Sequence, residues 1–165
     1  MGSFQDYMNE FKIQIKKGDI VQAYQGLMDY FRDLRSHFVN KFPTYSVPGN
    51  IYYGYMDMTY FAIIPESFQS HDLKIAIVFV FETFRFEVWL SGKNKKVLMH
   101  YWEKIKKSAW NKYSLTEPGK GIDFILDHVL IADPDFNDLE ALTAQIETGI
   151  LDFIQDIEDF CLPIK

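Results

Sequence analysis

Cysteine is almost missing from this chain. Cys161 is the single one in 165 residues, so no internal disulfide can form, and a thiolate metal site lacks its other ligands. That composition suits a reducing compartment. His37, His71, His100 and His128 do not supply a metal site either: no two stand at ligand spacing, and H-E-x-x-H is absent. No run of about 18 uncharged apolar residues occurs, which excludes an ordinary membrane-spanning helix. The N-terminus has no basic region followed by an apolar run, so no secretory signal is expected and the cytoplasm is the expected compartment. Positive charge is in deficit, with 17 Lys and Arg against 23 Asp and Glu and a formal net charge of -6. Sequence-independent nucleic-acid binding rests on phosphate neutralisation and is therefore not expected. The serine-nucleophile elbow G-x-S-x-G is missing, and Pro118-Gly119-Lys120-Gly121 has neither the spacing nor the preceding strand of a phosphate-binding loop. Internal repeats, low-complexity tracts and linkers are also absent. Residues 1–165 read as one domain of a size that suits one core.

What the chain has in abundance is aromatic side chains, 17% of all residues, with 15 Phe, 10 Tyr and 3 Trp. The chain is organised around Leu73 to Leu90, which reads as two antiparallel strands turning at Glu82-Thr83. In that register Phe79 faces Phe86, Ile77 faces Val88 and Ile75 faces Leu90. Strand side chains alternate with period two, so these share one wholly apolar face. The other face pairs Val80 with Arg85, Val78 with Glu87 and Ala76 with Trp89, and is mixed. Upstream, Ile51 to Met56 and Thr59 to Ile64 read as two more strands turning at Asp57-Met58.

Helical spacing marks both ends of the chain. Phe4, Tyr7, Met8, Phe11 and Ile15 recur every three or four residues over Phe4 to Lys16, with Ser3 to cap the start and Gly18 to stop it. A second stripe runs from an Asp19 cap to Lys41, which makes a helical hairpin. A lysine-rich helix follows Asn94, with Leu98, Tyr101 and Ile105 on its buried stripe. Ile122, Ile125, Leu126 and Val129 predict a short helix over Ile122 to Ile131. A last helix, capped by Asn137 or Asp135, carries Leu142, Ile146, Ile150, Phe153 and Ile157 toward Cys161. The fold class is α+β: an antiparallel sheet of about four strands within Ile51 to Leu90, covered by the N-terminal helical hairpin and the C-terminal helices.

Function is less legible. The mixed face carries Arg85, Glu87 and Trp89 on one strand, and charges on a covered strand need partners. They form the candidate ligand-binding site, with Tyr53, Tyr55 and Asp57 at its rim. The competing expectation is a structural Arg85–Glu87 pair beneath a helix. The best reading is a small-molecule or protein binding domain without catalysis. The alternative is a hydrolase acting through Asp57, Arg85 and Glu87, with or without a metal. A metal-dependent nuclease is disfavoured, because Trp89 stands where the strand motif needs lysine after Glu87. No catalytic residue, metal ligand or cofactor is assigned. Charge is segregated: seven Lys and one Glu lie in 93–112, and eleven acids without a base lie in 123–159. The apolar stripe of the last helix, together with the tyrosine content, makes a homodimer the expected oligomer.

Four segments also carry a family resemblance. They are Lys17-Gly18-Asp19-Ile20-Val21-Gln22-Ala23-Tyr24, Tyr53-Gly54-Tyr55-Met56-Asp57-Met58-Thr59-Tyr60-Phe61, Lys74-Ile75-Ala76-Ile77-Val78-Phe79 and Arg85-Phe86-Glu87-Val88-Trp89-Leu90-Ser91-Gly92. The chain resembles a family of uncharacterised bacterial proteins of similar length, a domain of unknown function, over nearly its whole extent. The resemblance implies a bacterial, cytoplasmic, one-domain protein and transfers no site residues.

Overall fold

The sheet grows outward from the hairpin that the sequence marks. A computed structural model describing residues 1–163 places β2 at Leu73–Val80 and β3 at Arg85–Gly92. They pair antiparallel with Phe79 opposite Phe86, Ile77 opposite Val88 and Ile75 opposite Leu90, the expected register. β1, Met58–Ile63, pairs antiparallel with the outer edge of β2. β5, Phe124–Ile131, lies on the other side of β3, and the two-residue β4, Ser114–Leu115, closes that edge. Among the described residues the sheet has five strands, in the order β1-β2-β3-β5-β4.

Two expected elements come out differently. Residues 122–131 are expected to be helical, yet Phe124–Ile131 is a strand. Its pairing with β3 shifts register between Phe86 and Glu87 and again between Leu90 and Ser91. Each bulge inserts a residue and breaks the two-residue alternation, which leaves the apolar positions at three- and four-residue intervals that imitate a helix. Ile51 to Met56 is expected to be a strand and is a loop touching β1 through one bridge, Tyr52 to Tyr60. Gly54 and Met56 both take positive φ there, 73° and 63°. A Cβ on Gly54 would stand 2.1 Å from the Met58 carbonyl oxygen, so only glycine fits.

The helices follow their sequence signals more closely. α1 spans Phe4–Lys17, with a reciprocal capping box between Ser3 and Asp6. Gly18, at φ 89°, both ends α1 and begins α2, Asp19–Lys41. The short α3 is Glu66–Gln69, and α4 is Lys95–Ser108, capped by Asn94. α5, Leu139–Phe160, is capped by Asp138 rather than by Asn137 or Asp135. Asp135 instead accepts from the Asn137 backbone N–H.

One sheet face takes most of the core packing. Phe61, Ile77, Phe79, Phe86, Val88 and Leu90 are fully buried or nearly so. Phe31 of α2 meets Phe61 and Phe86, with ring centroids 6.2 and 5.9 Å apart. Leu98, Tyr101 and Ile105 of α4 and Leu142, Ile146, Ile150, Phe153 and Ile157 of α5 complete the core. The expected helical hairpin covers it with one arm only, because no residue of α1 is buried.

Candidate functional site

Strand pairing sets the opposite sheet face out as rows. One row runs Tyr60, Val78, Glu87, Val129, and the next runs Ala62, Ala76, Trp89, Asp127. Met58, Tyr60, Ala62, Lys74, Arg85, Trp89 and Ser91 stay partly open to solvent. This is the mixed face that alternation along β2 and β3 predicts.

Arg85, Glu87 and Trp89 come together as expected, in a hydrogen-bonded chain. Arg85 Nε donates to Glu87 Oε2 at 2.9 Å, and Trp89 Nε1 donates to Glu87 Oε1 at 3.0 Å. Glu87 is 6% exposed, so both carboxylate oxygens are held by this strand's own side chains. The Arg85 side chain keeps 34% of its surface in water. The trio therefore combines the two expectations: a structural ion pair, on a face that remains partly open. Asp127 lies beside it. Burial, then the Glu87 charge, holds its carboxyl above the usual range, against the Ser114 and Thr116 hydroxyls and Arg85, which pull it down.

Tyr53, Tyr55 and Asp57 come from a different segment. They occupy the loop before β1, where Tyr53 and Tyr55 are exposed. Asp57 accepts from the Tyr55 backbone N–H at 2.9 Å. Hydrogen bonds from the Tyr55 and Met58 amides hold its carboxyl below the usual range. Its carboxylate locks the loop. The following residue, Met58, sits opposite Val80, which sits opposite Arg85; that is two strand spacings, roughly 10 Å. At the backbone Asp57 therefore stands about two strand spacings from Arg85.

A concavity of about 520 Å³ opens on this face, within the usual range for small-ligand sites. Tyr60, Ala62, Ala76, Trp89 and Phe124 give it apolar walls. Trp89 and Phe124 stack with centroids 4.4 Å apart and planes 27° apart. Lys74, Ser91, Lys93, Asn94 and Lys95 bring polar groups to one end. Lys95 is committed elsewhere: its ammonium pairs with Asp123 at 2.8 Å and donates to the Gly119 and Ile122 carbonyls. Among the described residues Lys74 and Lys93 form no ion pair. Trp89 is the one expected site residue that lines the cavity. Phe124 and Asp127 were missed because their strand reads as a helix. Lys74 was legible, standing two residues before Ala76 on the mixed face.

A second, more open concavity of about 560 Å³ lies between α2 and α5. His37 and Lys41 converge on Glu147 there, at 2.5 and 2.7 Å. This closed cluster ties the helices together. Among the described residues no group of three or more His, Cys, Asp or Glu is placed to hold a metal, and no helix is long and apolar enough to cross a membrane.

A family described as a domain of unknown function (DUF7000) matches residues 4–161. No curated protein and no solved structure matches the chain.

Proposed function

The chain belongs to the family described as domain of unknown function DUF7000, a description that assigns no activity, and from the site we propose a small-molecule binding domain without catalysis. Its ligand is a small organic anion with a flat apolar body, and its site is the concavity on the open sheet face. The observation that carries this reading is the pair Lys74 and Lys93 at one end of a cavity walled by Tyr60, Trp89 and Phe124. The aromatic walls favour a planar body, and the ammonium groups favour a carboxylate or phosphate. Glu87 has a supporting part: it orients the Trp89 indole from behind. The hydrolase reading has less support, because Glu87 is bonded through both oxygens and Asp57 is used by its own loop. A cytoplasmic setting belongs to the same proposal and agrees with the single buried thiol of Cys161.

The test is a thermal-shift and calorimetry series with benzoate, indole-3-acetate and phenyl phosphate. Indole serves as the uncharged control, and the two anion types separate carboxylate from phosphate preference. Stabilisation by at least one anion is expected. W89A should abolish it, and K74M should weaken it roughly 10–100-fold, the worth of one hydrogen bond to a charged group. Stabilisation that survives W89A unchanged, or no stabilisation by any of the anions, refutes the reading.

A further inference from the structure

We propose that α1 is an exchanged arm: in a two-fold dimer of this chain, each α1 lays its apolar stripe over the uncapped end of the partner's core. This is independent of the ligand site, which lies on the other face of the sheet.

The helix itself is well made, and none of its residues is buried. Ser3 and Asp6 close its first turn and Gly18 caps its last. Yet Phe4, Tyr7, Met8, Phe11 and Ile15, all on one face, are 39–79% exposed. A helix of this length is marginal in water without tertiary packing. Its own α2 is a poor acceptor. Antiparallel helix pairs are joined by loops of about two to five residues, and here Gly18 alone is the connection. α1 does touch α2, but that contact buries no residue of α1.

The chain presents a matching surface where the hairpin end of the sheet meets α2 and the start of α5. Phe84 is 58% exposed, and Phe136 and, at the start of α5, Leu139 are exposed as well. Tyr24 of α2 stacks on the half-buried Phe81 at 6.4 Å. Phe81, Phe84 and Phe136 all pack against the buried ring of Phe79, which gathers them around one point of the fold. Charge is complementary as well. The C-terminal half of α1 carries Lys12, Lys16 and Lys17 and no acid, whereas the segment 133–140 that holds Phe136 and Leu139 carries Asp133, Asp135, Asp138 and Glu140 and no base.

The area is sufficient. At 150–250 Å² for a large side chain, the exposed parts of the α1 stripe come to roughly 500 Å². The receiving patch is somewhat smaller, so two arms and two patches bury at most roughly 1,800 Å², within the range of a standard stable interface. The dimer surface expected from sequence, the α5 stripe, is not available, because Leu142, Ile146, Ile150, Phe153 and Ile157 are spent on the core.

Sedimentation equilibrium of the full chain at micromolar concentration tests this. The expected species has twice the 19.4 kDa chain mass. Phe11→Glu on the arm and Phe84→Glu on the patch change exposed residues, so the far-ultraviolet circular dichroism of the sheet and core should persist. Each variant should raise the dimer dissociation constant at least about 30-fold, the effect of removing one dominant contact. Mixing the two variants should partly restore association, since one intact arm then meets one intact patch. A monomeric wild type overturns the proposal. A dimer broken by F11E but indifferent to F84E overturns it too, because it means the two α1 helices pair with each other. Failure of the mixed variants to associate excludes reciprocal exchange.

Discussion

Replacing Glu87 by glutamine probes the framework of the proposed site. The carboxylate accepts from Arg85 Nε through one oxygen and from Trp89 Nε1 through the other. A glutamine side chain there would have one acceptor oxygen, and its NH2 group would face one of those two donors. At least one hydrogen bond to a charged group is lost, worth about 1.5–3 kcal/mol. Two facts reduce the net effect. Arg85 is one-third exposed and stays hydrated without its partner. Asp127 loses the neighbouring charge that, after burial, holds its carboxyl up. The expected net loss is about 1–2 kcal/mol at pH 7. A chain of this size shifts by about 2–4 °C per kcal/mol, so Tm should fall by about 2–8 °C. The indole of Trp89, freed from its acceptor, should change its near-ultraviolet circular dichroism. A cycle with Trp89→Phe, which keeps an aromatic ring and removes the N–H, should show coupling of about 0.5 kcal/mol or more. An unchanged Tm with no coupling to Trp89 would refute the view that Glu87 positions the indole.

Two further outcomes are expected. Phe79, fully buried against the rings of Phe81, Phe84 and Phe86, should cost about 3–5 kcal/mol when cut to alanine; an unaltered urea midpoint would contradict the packing. Stability should also depend on pH in two windows. Burial pushes Glu147 up, but the Lys41 and His37 hydrogen bonds outweigh it and leave its carboxyl below the usual 4.5. The resulting stabilisation is present above that value and is lost as pH falls through the folded-state pKa, so K41M should flatten the acid limb. Asp127 has the opposite sign. Its folded-state pKa lies above the usual 3.8, so stability declines as pH rises through that window, and D127N should remove the decline. A pH profile identical in all three proteins would contradict both assignments.

The hairpin register could be read before any coordinates because the same apolar alternation runs along both strands, and only one pairing buries Phe79 with Phe86. The open face followed from that alternation, with Arg85, Glu87 and Trp89 on the side opposite the phenylalanines. The fifth strand was hidden, because its bulges beside Glu87 and Ser91 destroy the period on which strand reading depends. With it went Asp127 beside Glu87, and Phe124, which walls the cavity against Trp89. Tyr53 and Tyr55 lie in a loop rather than a strand for a related reason. Aromatic composition suggested a strand, while the positive φ of Gly54 and Met56 turns the backbone into a loop. The α1 helix shows a third limit. Three- and four-residue spacing predicts an amphipathic helix, but periodicity says nothing about which surface covers its apolar side.

The most direct test of the proposed site is a two-dimensional amide NMR titration of the chain with indole-3-acetate and, separately, with indole. The account predicts that the anion shifts the Trp89 indole N–H together with the amides of Tyr60, Lys74, Ala76 and Ser91, and that indole alone shifts them less at equal concentration. Shifts confined to α1, or to the groove between α2 and α5, would contradict it, as would an equal response to both compounds.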